Sequence, residues 1–549
     1  MTDSFRIRNV LIPAAIGFML FLVFTGGHAL NPLRVDWIMS IGGDAVQHYI
    51  GWNFFRHGPY LQFPLGLNLG YGEVIGSSIV FSDSIPLLAI LFKLVRGMLP
   101  DQFQYFGLWI AACFVLQAVF AWAILSLRTT DNVIKGLGCA LLTLSPPMLW
   151  RLHGHEALIG HWLLLAALYL YLSNRARTWH WILLICIAAS IHAYLLAMVG
   201  GIWFADRVRV IAPGSAKSKQ VALELPCLVA ALFITTWSVG YYTVKSVATE
   251  GFGTFRTNLT APFRAEDIWS IWTSYGYSGG DYEGFSYIGA GVFLLFVATA
   301  GLIVKHRKDA PIAWRAHASL IVVCALCYLF ALSNRINLGG NHEIFHYPLP
   351  AFLSRITSTF RASGRFVWPV FYTAIVFLLF RFIKLSCRKW TVPLLCVFLL
   401  FQATDLIKAS KYFRAHWSQP WTPPLKSDFW KDVPGQYKRV ALVMPLDAGD
   451  KYAPIALMAS NANMTINGGY LARVDFDKLG EVQAQLQDTI EHGTYLPDTL
   501  YVFNTPQNWA IAKANFKGNG FIGTVDNYHV IAPLWHGCTT SCGASADHP

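Results

Sequence analysis

Apolar runs, each ended by a short polar or basic stretch, recur along the first 410 residues of the chain and then stop. A helix needs about 20 apolar residues to cross a bilayer. By that measure the runs predict spans near residues 10–29, 104–127, 133–150, 157–173, 221–243, 286–304, 317–333, 366–383 and 390–408. The stretch from His180 to Asp206 is long for one helix and short for two, and "SIHAYL" breaks it in the middle. Folding it as a two-pass hairpin keeps the basic loops on one side, which brings the expectation to about 11 spans. Residues 31–100 form the first long interruption, and within them Ser82–Pro100 is apolar but brief and carries Lys93 and Arg96. That predicts an interfacial helix. The texture changes after the last run. Residues 411–434 include the Pro-rich "SQPWTPPLKSDFW" and read as a linker between a 1–410 transmembrane domain and a 435–549 domain. In the latter, "KRVALVMP", "DTLYVFN" and "YHVIAP" read as strands, and "FDKLGEVQAQLQDTIEHG" reads as an amphipathic helix. The fold class expected is a polytopic α-helical membrane protein with a small C-terminal soluble α/β domain.

Composition agrees with this reading, since 55% of the 549 residues are hydrophobic and only 13% charged. The net charge of +12 invites a nucleic-acid reading. The Lys and Arg residues sit mainly in short loops between apolar runs, where the positive-inside bias accounts for them, so no nucleic-acid partner is expected. Met1–Arg8 is short and basic and leads into an apolar stretch without a small-residue cleavage pattern, which reads as an uncleaved anchor with a cytoplasmic N-terminus. Residues 31–100, the "RLHGHE" turn, residues 245–285, residues 334–365 and the C-terminal domain then face the extracytoplasmic side. Of ten cysteines, eight lie in or beside apolar runs, including the Cys324/Cys327 pair, and read as packing residues. Cys538 and Cys542 are placed to form a small disulfide in an oxidising compartment.

Ionisable residues are nearly absent from the middles of the spans, where an ion-coupled transporter needs them. Acids and other polar groups gather on one expected face instead. Asp44 and His48 lie in "GGDAVQHYIGW", Asp83 in "FSDSIP", His155 and Glu156 in "RLHGHEALIGHW", Asp281 and Glu283 in "SGGDYEGF", and Arg361 and Arg365 in "FRASGRFVW". Asp44 and Asp83 each precede an apolar helical pattern, so N-capping is the plain alternative. His155 and Glu156, with His161 beyond them, lack the spacing of a zinc hydrolase and suit hydrogen bonding to a sugar, or an interfacial collar. If helical, the four-residue spacing sets both guanidinium groups of Arg361 and Arg365 on one face. Such a pair suits a phosphate, or simply the lipid headgroups. Tyr275, Tyr277 and Tyr282 beside Asp281 and Glu283 suit sugar recognition, or interfacial anchoring. The "NLT" at Asn258 and "NMT" at Asn463 match a glycosylation acceptor pattern that arises readily by chance.

"DAVQHYIGWNFFR", "FSDSIPLLAILFK", "HGHEALIGHW" and "FRASGRFVWPVFY", on a chain of many short spans, resemble the GT-C membrane glycosyltransferases, and specifically an uncharacterised bacterial branch of them. The resemblance runs over roughly residues 10–410. It implies a GT-C-like fold in a bacterial inner membrane, with the C-terminal domain in the periplasm. It also implies transfer of a sugar from a polyprenyl-phosphate donor to a glycan or glycolipid acceptor of the cell envelope. Asp44 would be the catalytic base of an inverting attack. His48, Asp83, His155, Glu156, Asp281 and Glu283 would bind substrate, and Arg361 and Arg365 would hold the donor phosphate. Membrane lipids are the remaining partner expected. No metal is assigned; if a divalent cation such as Mg or Mn takes part, Asp44 and Asp83 are its candidate ligands. A transporter or lipid flippase, and a noncatalytic assembly protein for envelope glycans, are the competing classes.

Overall fold

The computed structural model describes the chain apart from residues 1–2, 174–176, 212–216, 246–250, 274, 276–278, 308–310, 341, 446–451, 538–544 and 547–549. Tyr277, Cys538 and Cys542 lie outside the described residues. The chain divides into two compact units, one of residues 1–34, 105–233 and 248–419, the other of residues 35–104, 234–247 and 420–549.

The first unit is built of helices, and helices stand at every place where the apolar pattern predicts a span. Among the described residues, however, four are long and apolar enough to cross a bilayer: Phe106–Ser126, Glu156–Ser173, Trp314–Leu332 and Ser363–Leu385. Two bent pairs, Asn132–Thr143 with Pro146–His153 and Arg388–Asp405 with Ile407–Ser418, raise the number to six if each is one span. The expected count of about 11 is therefore corrected to between four and six. The physical reason is length. The His180–Asp206 stretch becomes Thr178–Ala189 and Ala193–Val210, and the first of these has 12 residues, about 18 Å of helix against a hydrocarbon core of about 30 Å. Pro146 and Pro147 break the third run, since neither ring nitrogen can donate to the turn before it. The Ala193–Val210 helix also ends in charge. Arg207 pairs with Asp206 at 2.5 Å and with Glu224 at 2.9 Å, and Arg209 pairs with Asp206 at 2.6 Å.

The second unit joins the C-terminal segment to residues 35–104. Its six-stranded sheet contains β3 (Arg439–Leu442), β4 (Thr465–Ile466), β5 (Thr499–Phe503), β6 (Gly520–Val525), β7 (Tyr528–Pro533) and β8 (Ser545–Ala546), in the order β4-β3-β5-β7-β6-β8. A separate hairpin, β1 (Arg335–Asn337) with β2 (Glu343–His346), belongs to the helical unit. The Phe476–His492 helix is capped by Asp475, whose side chain accepts from the Lys478 amide, and is closed by Gly493 at φ 70°. It lays Leu479, Val482, Leu486 and Ile490 onto the sheet, with Ile75 from the earlier segment in the same core. Beyond β4 the sheet is extended by residues 70–73: the Ile466 amide donates to Gly70 O, and the Gly72 and Glu73 amides donate to Ile466 O. Tyr71 and Tyr452 share a hydrogen bond of 2.6 Å, and Asn53 Nδ2 donates to Ser460 Oγ and Asn461 Oδ1. The stretch read as a linker is partly helical, in Ile407–Ser418 and Phe429–Gln436.

Candidate functional site

In the second unit, Gly42 and Gly43 adopt φ of 76° and 50°, a left-handed turn that only glycine makes without strain. No atom stands within 4 Å of a Cβ added at either, so the backbone rather than crowding calls for glycine there. The turn leads from the Asp36–Ile41 helix into the Gly43–His57 helix, whose N-cap is Gly42. Asp44 therefore is not the cap. It lies half-buried in the first turn, where the positive end of the helix favours an anionic carboxylate.

Asp83 is not a cap either. The Pro86–Leu94 helix, shorter than the interfacial stretch expected, has Ile85 as its N-cap. Asp83 and Ile85 hold φ of 50° and 52°, a conformation that Asp tolerates but that is costly for the β-branched Ile85. The segment is pinned to the Asp44 helix. Ser84 Oγ donates to the His48 carbonyl at 2.7 Å, Ser82 Oγ shares 2.8 Å with Ser84 Oγ, and Gln47 Nε2 donates to Phe81 O at 3.1 Å. Gln47 and His48 are one turn beyond Asp44, and His48 is buried. Tyr241 joins the same neighbourhood; burial first, and the Asp83 carboxylate second, push its phenol well above the usual range.

In the helical unit, Glu283 sits in the short Gly279–Gly284 helix between two guanidinium groups. Arg151 Nη1 reaches Glu283 Oε2 at 2.8 Å, and Arg365 reaches both carboxylate oxygens, at 2.9 and 2.5 Å. Burial would raise the Glu283 carboxyl, but Arg365 and then Arg151 outweigh it and hold the group well below the usual carboxylate range. Asp281 is buried beside Arg256, 3.3 Å away, and accepts from Asn258 Nδ2 at 3.0 Å. Trp150 stacks with His155 and with Tyr282, at 5.9 and 5.6 Å, and the Glu156 carbonyl accepts from Trp109 Nε1. Glu266 is buried near Arg264 and Asp281. Burial, opposed by Arg264, lifts its carboxyl to about 7.

Several expectations change on this geometry. Arg361 follows the Ser354–Thr359 helix, whereas Arg365 lies in the 3₁₀ turn Ser363–Phe366, so no common helix face presents the pair. Arg365 neutralises Glu283, and both are engaged with each other. Asn258 is buried and holds the loop together, its Oδ1 accepting from the Thr260 and Gly339 amides, which leaves no room for a glycan. Asp44, His48 and Asp83 are brought onto adjoining segments of one unit. His155, Glu156, Asp281, Glu283, Arg361 and Arg365 belong to the other. Arg151, Arg256, Glu266 and Tyr241 escaped the sequence reading, because Arg151, Arg256 and Tyr241 gain their meaning from partners 25 or more positions along the chain and Glu266 gains its own from burial. Among the described residues, no group of three or more His, Cys, Asp or Glu side chains is arranged to hold a metal ion.

Residues 14–407 match the family model described as Domain of unknown function (DUF6311), and residues 429–533 match that described as DUF6311 C-terminal domain. No curated protein matches the chain.

Proposed function

We propose a function for this chain, which belongs to the DUF6311 family, from its own side chains: it is a membrane glycosyltransferase that moves a sugar from a polyprenyl-phosphate donor to a hydroxyl of an extracytoplasmic glycan or glycolipid. The observation that carries the reading is the anchoring of the Asp83 segment, at Gln47 and His48, to the helix that holds Asp44 in its first turn. Polyprenyl phosphate is a good leaving group, so the step calls for a base at the acceptor rather than a strong acid at the donor. Asp44 takes the acceptor hydroxyl proton as the oxygen attacks the anomeric carbon. The bond from that carbon to the phosphate oxygen breaks with inversion, and the phosphate leaves as the anion. Asp83 orients the acceptor. Backbone strain of the kind seen at Ile85, two residues from Asp83, concentrates where function requires a fixed geometry, which favours this segment as part of the site.

Purified protein in lipid, given polyprenyl-phosphate sugars and cell-envelope glycans, is expected to release polyprenyl phosphate. Asp44→Asn is expected to lower that turnover by about a hundredfold or more. Turnover equal to that of the unaltered protein would remove Asp44 from the mechanism.

A further inference from the structure

A basic groove in the helical unit lies between the end of the first apolar helix, Asp3–Thr25, and the Ile407–Ser418 helix. Val23 and Ile407 give it apolar walls, and His28, Ser410, Lys411 and Arg414 give it a polar rim without an acidic side chain. Its walls are fixed to each other. Ser410 Oγ donates to Val23 O at 3.1 Å, and Arg414 Nη1 donates to the same carbonyl at 3.4 Å, satisfying backbone acceptors that a helix end leaves open. A guanidinium has five N–H donors and an ammonium three, so these contacts occupy little of the cationic capacity. The acid nearest in sequence, Asp405, is fully buried and bound to Ser270, Tyr287 and the Ala290 amide.

Two apolar tracks lead to the groove. Leu11, Ala15, Met19 and Val23, four residues apart, form an exposed stripe along the first helix. Val397, Leu400, Phe401 and Ile407 are exposed on the bent pair that carries Lys411 and Arg414. A stripe of that length matches a hydrocarbon chain, and cations at its end match an anionic headgroup, as in basic pockets between membrane helices. We propose that this groove binds the phosphate of an anionic lipid, its chain lying along the Leu11–Val23 stripe. The inference needs the membrane location of these helices but not the sugar-transfer reading, and its test reads binding rather than turnover.

The full-length protein, reconstituted in phosphatidylcholine nanodiscs doped with phosphatidylglycerol or with a polyprenyl phosphate, is released for native mass spectrometry to count the lipid retained. Retention of a phosphate-bearing anionic lipid about tenfold above phosphatidylcholine is expected, weakened by salt and lost in the Lys411→Gln/Arg414→Gln variant. Lys411→Glu provides a second variant that leaves the Arg414 bond to Val23 intact. The two doped lipids tell a phosphodiester headgroup from an isoprenoid phosphate, and preference for either supports the site. Equal retention of phosphatidylcholine overturns it, as does an unchanged preference in both variants. Saturable binding of inorganic phosphate without any lipid preference also overturns it, because the groove would then serve a soluble anion.

Discussion

Glu283 shows how far one residue depends on its surroundings. A buried carboxylate between two guanidinium groups is tolerable only while all three charges remain, and removing one leaves the others buried without compensation. Glu283→Gln is therefore expected to cost about 3 to 5 kcal/mol of stability, seen as a large fall in thermal unfolding temperature in detergent. The sign of the pH dependence follows from the depressed carboxyl. Its contribution is fully present above the unfolded value of 4.5 and is lost as pH falls below that toward the folded value. The unaltered protein should lose stability on that acid limb, and the variant should lack this part of the decline. Identical acid limbs would contradict the ion-pair account. At this scale the sequence marked Glu283 and Arg365 as chemically prominent, but not that they are bound to each other. Arg365 lies 82 positions from Glu283 and Arg151 lies 132 from it, and no local pattern encodes such separations.

Elements were easier to read than their lengths. Short apolar runs bounded by polar residues located β3, β5 and β7, which are buried along nearly their whole length, and the 3.6-residue period located the Phe476–His492 helix, which lays one face on the core. The strand β6 was missed although Asp526 and Asn527, with φ of 47° and 68°, form the tight turn into β7. Asp-Asn is a weaker turn signal than Asn-Gly, and glycines within "GFIGTV" blur the alternation. Helix packing around Asp83 also rests on one small residue. A Cβ at Gly51 would collide with Ser82 Oγ and Cβ, so only glycine lets the Asp83 segment approach the Asp44 helix. Gly51→Ala is expected to cost about 1 to 3 kcal/mol and, on the sugar-transfer reading, to lower turnover with it. An unchanged unfolding temperature together with unchanged turnover would show that this approach is dispensable.

At the scale of the whole molecule, the C-terminal segment and residues 35–104 are one structure, sharing a sheet edge at Ile466, the Tyr71–Tyr452 bond and the core around Ile75. Removing residues 420–549 should uncover the fully buried Tyr71 and Ile75. Hydrogen exchange across the Gly43–His57 helix is then expected to accelerate at least tenfold, as burial is lost, whereas unchanged exchange would mean that residues 35–104 fold without the tail. Loss of activity on truncation would consequently not separate an enzyme from an assembly protein, but Asp44→Asn would. The sequence by itself determined what short-range periodicity and composition carry: a mostly helical, strongly apolar chain, the places of its helices, and a sheet-containing end. Which helices are long enough to cross a membrane, which acids are neutralised by arginines, and which loop completes the C-terminal sheet were decided by tertiary structure. Those features depend on breaks, close approaches and charge pairings between residues tens to hundreds of positions apart, whose free energy appears only once the chain has folded.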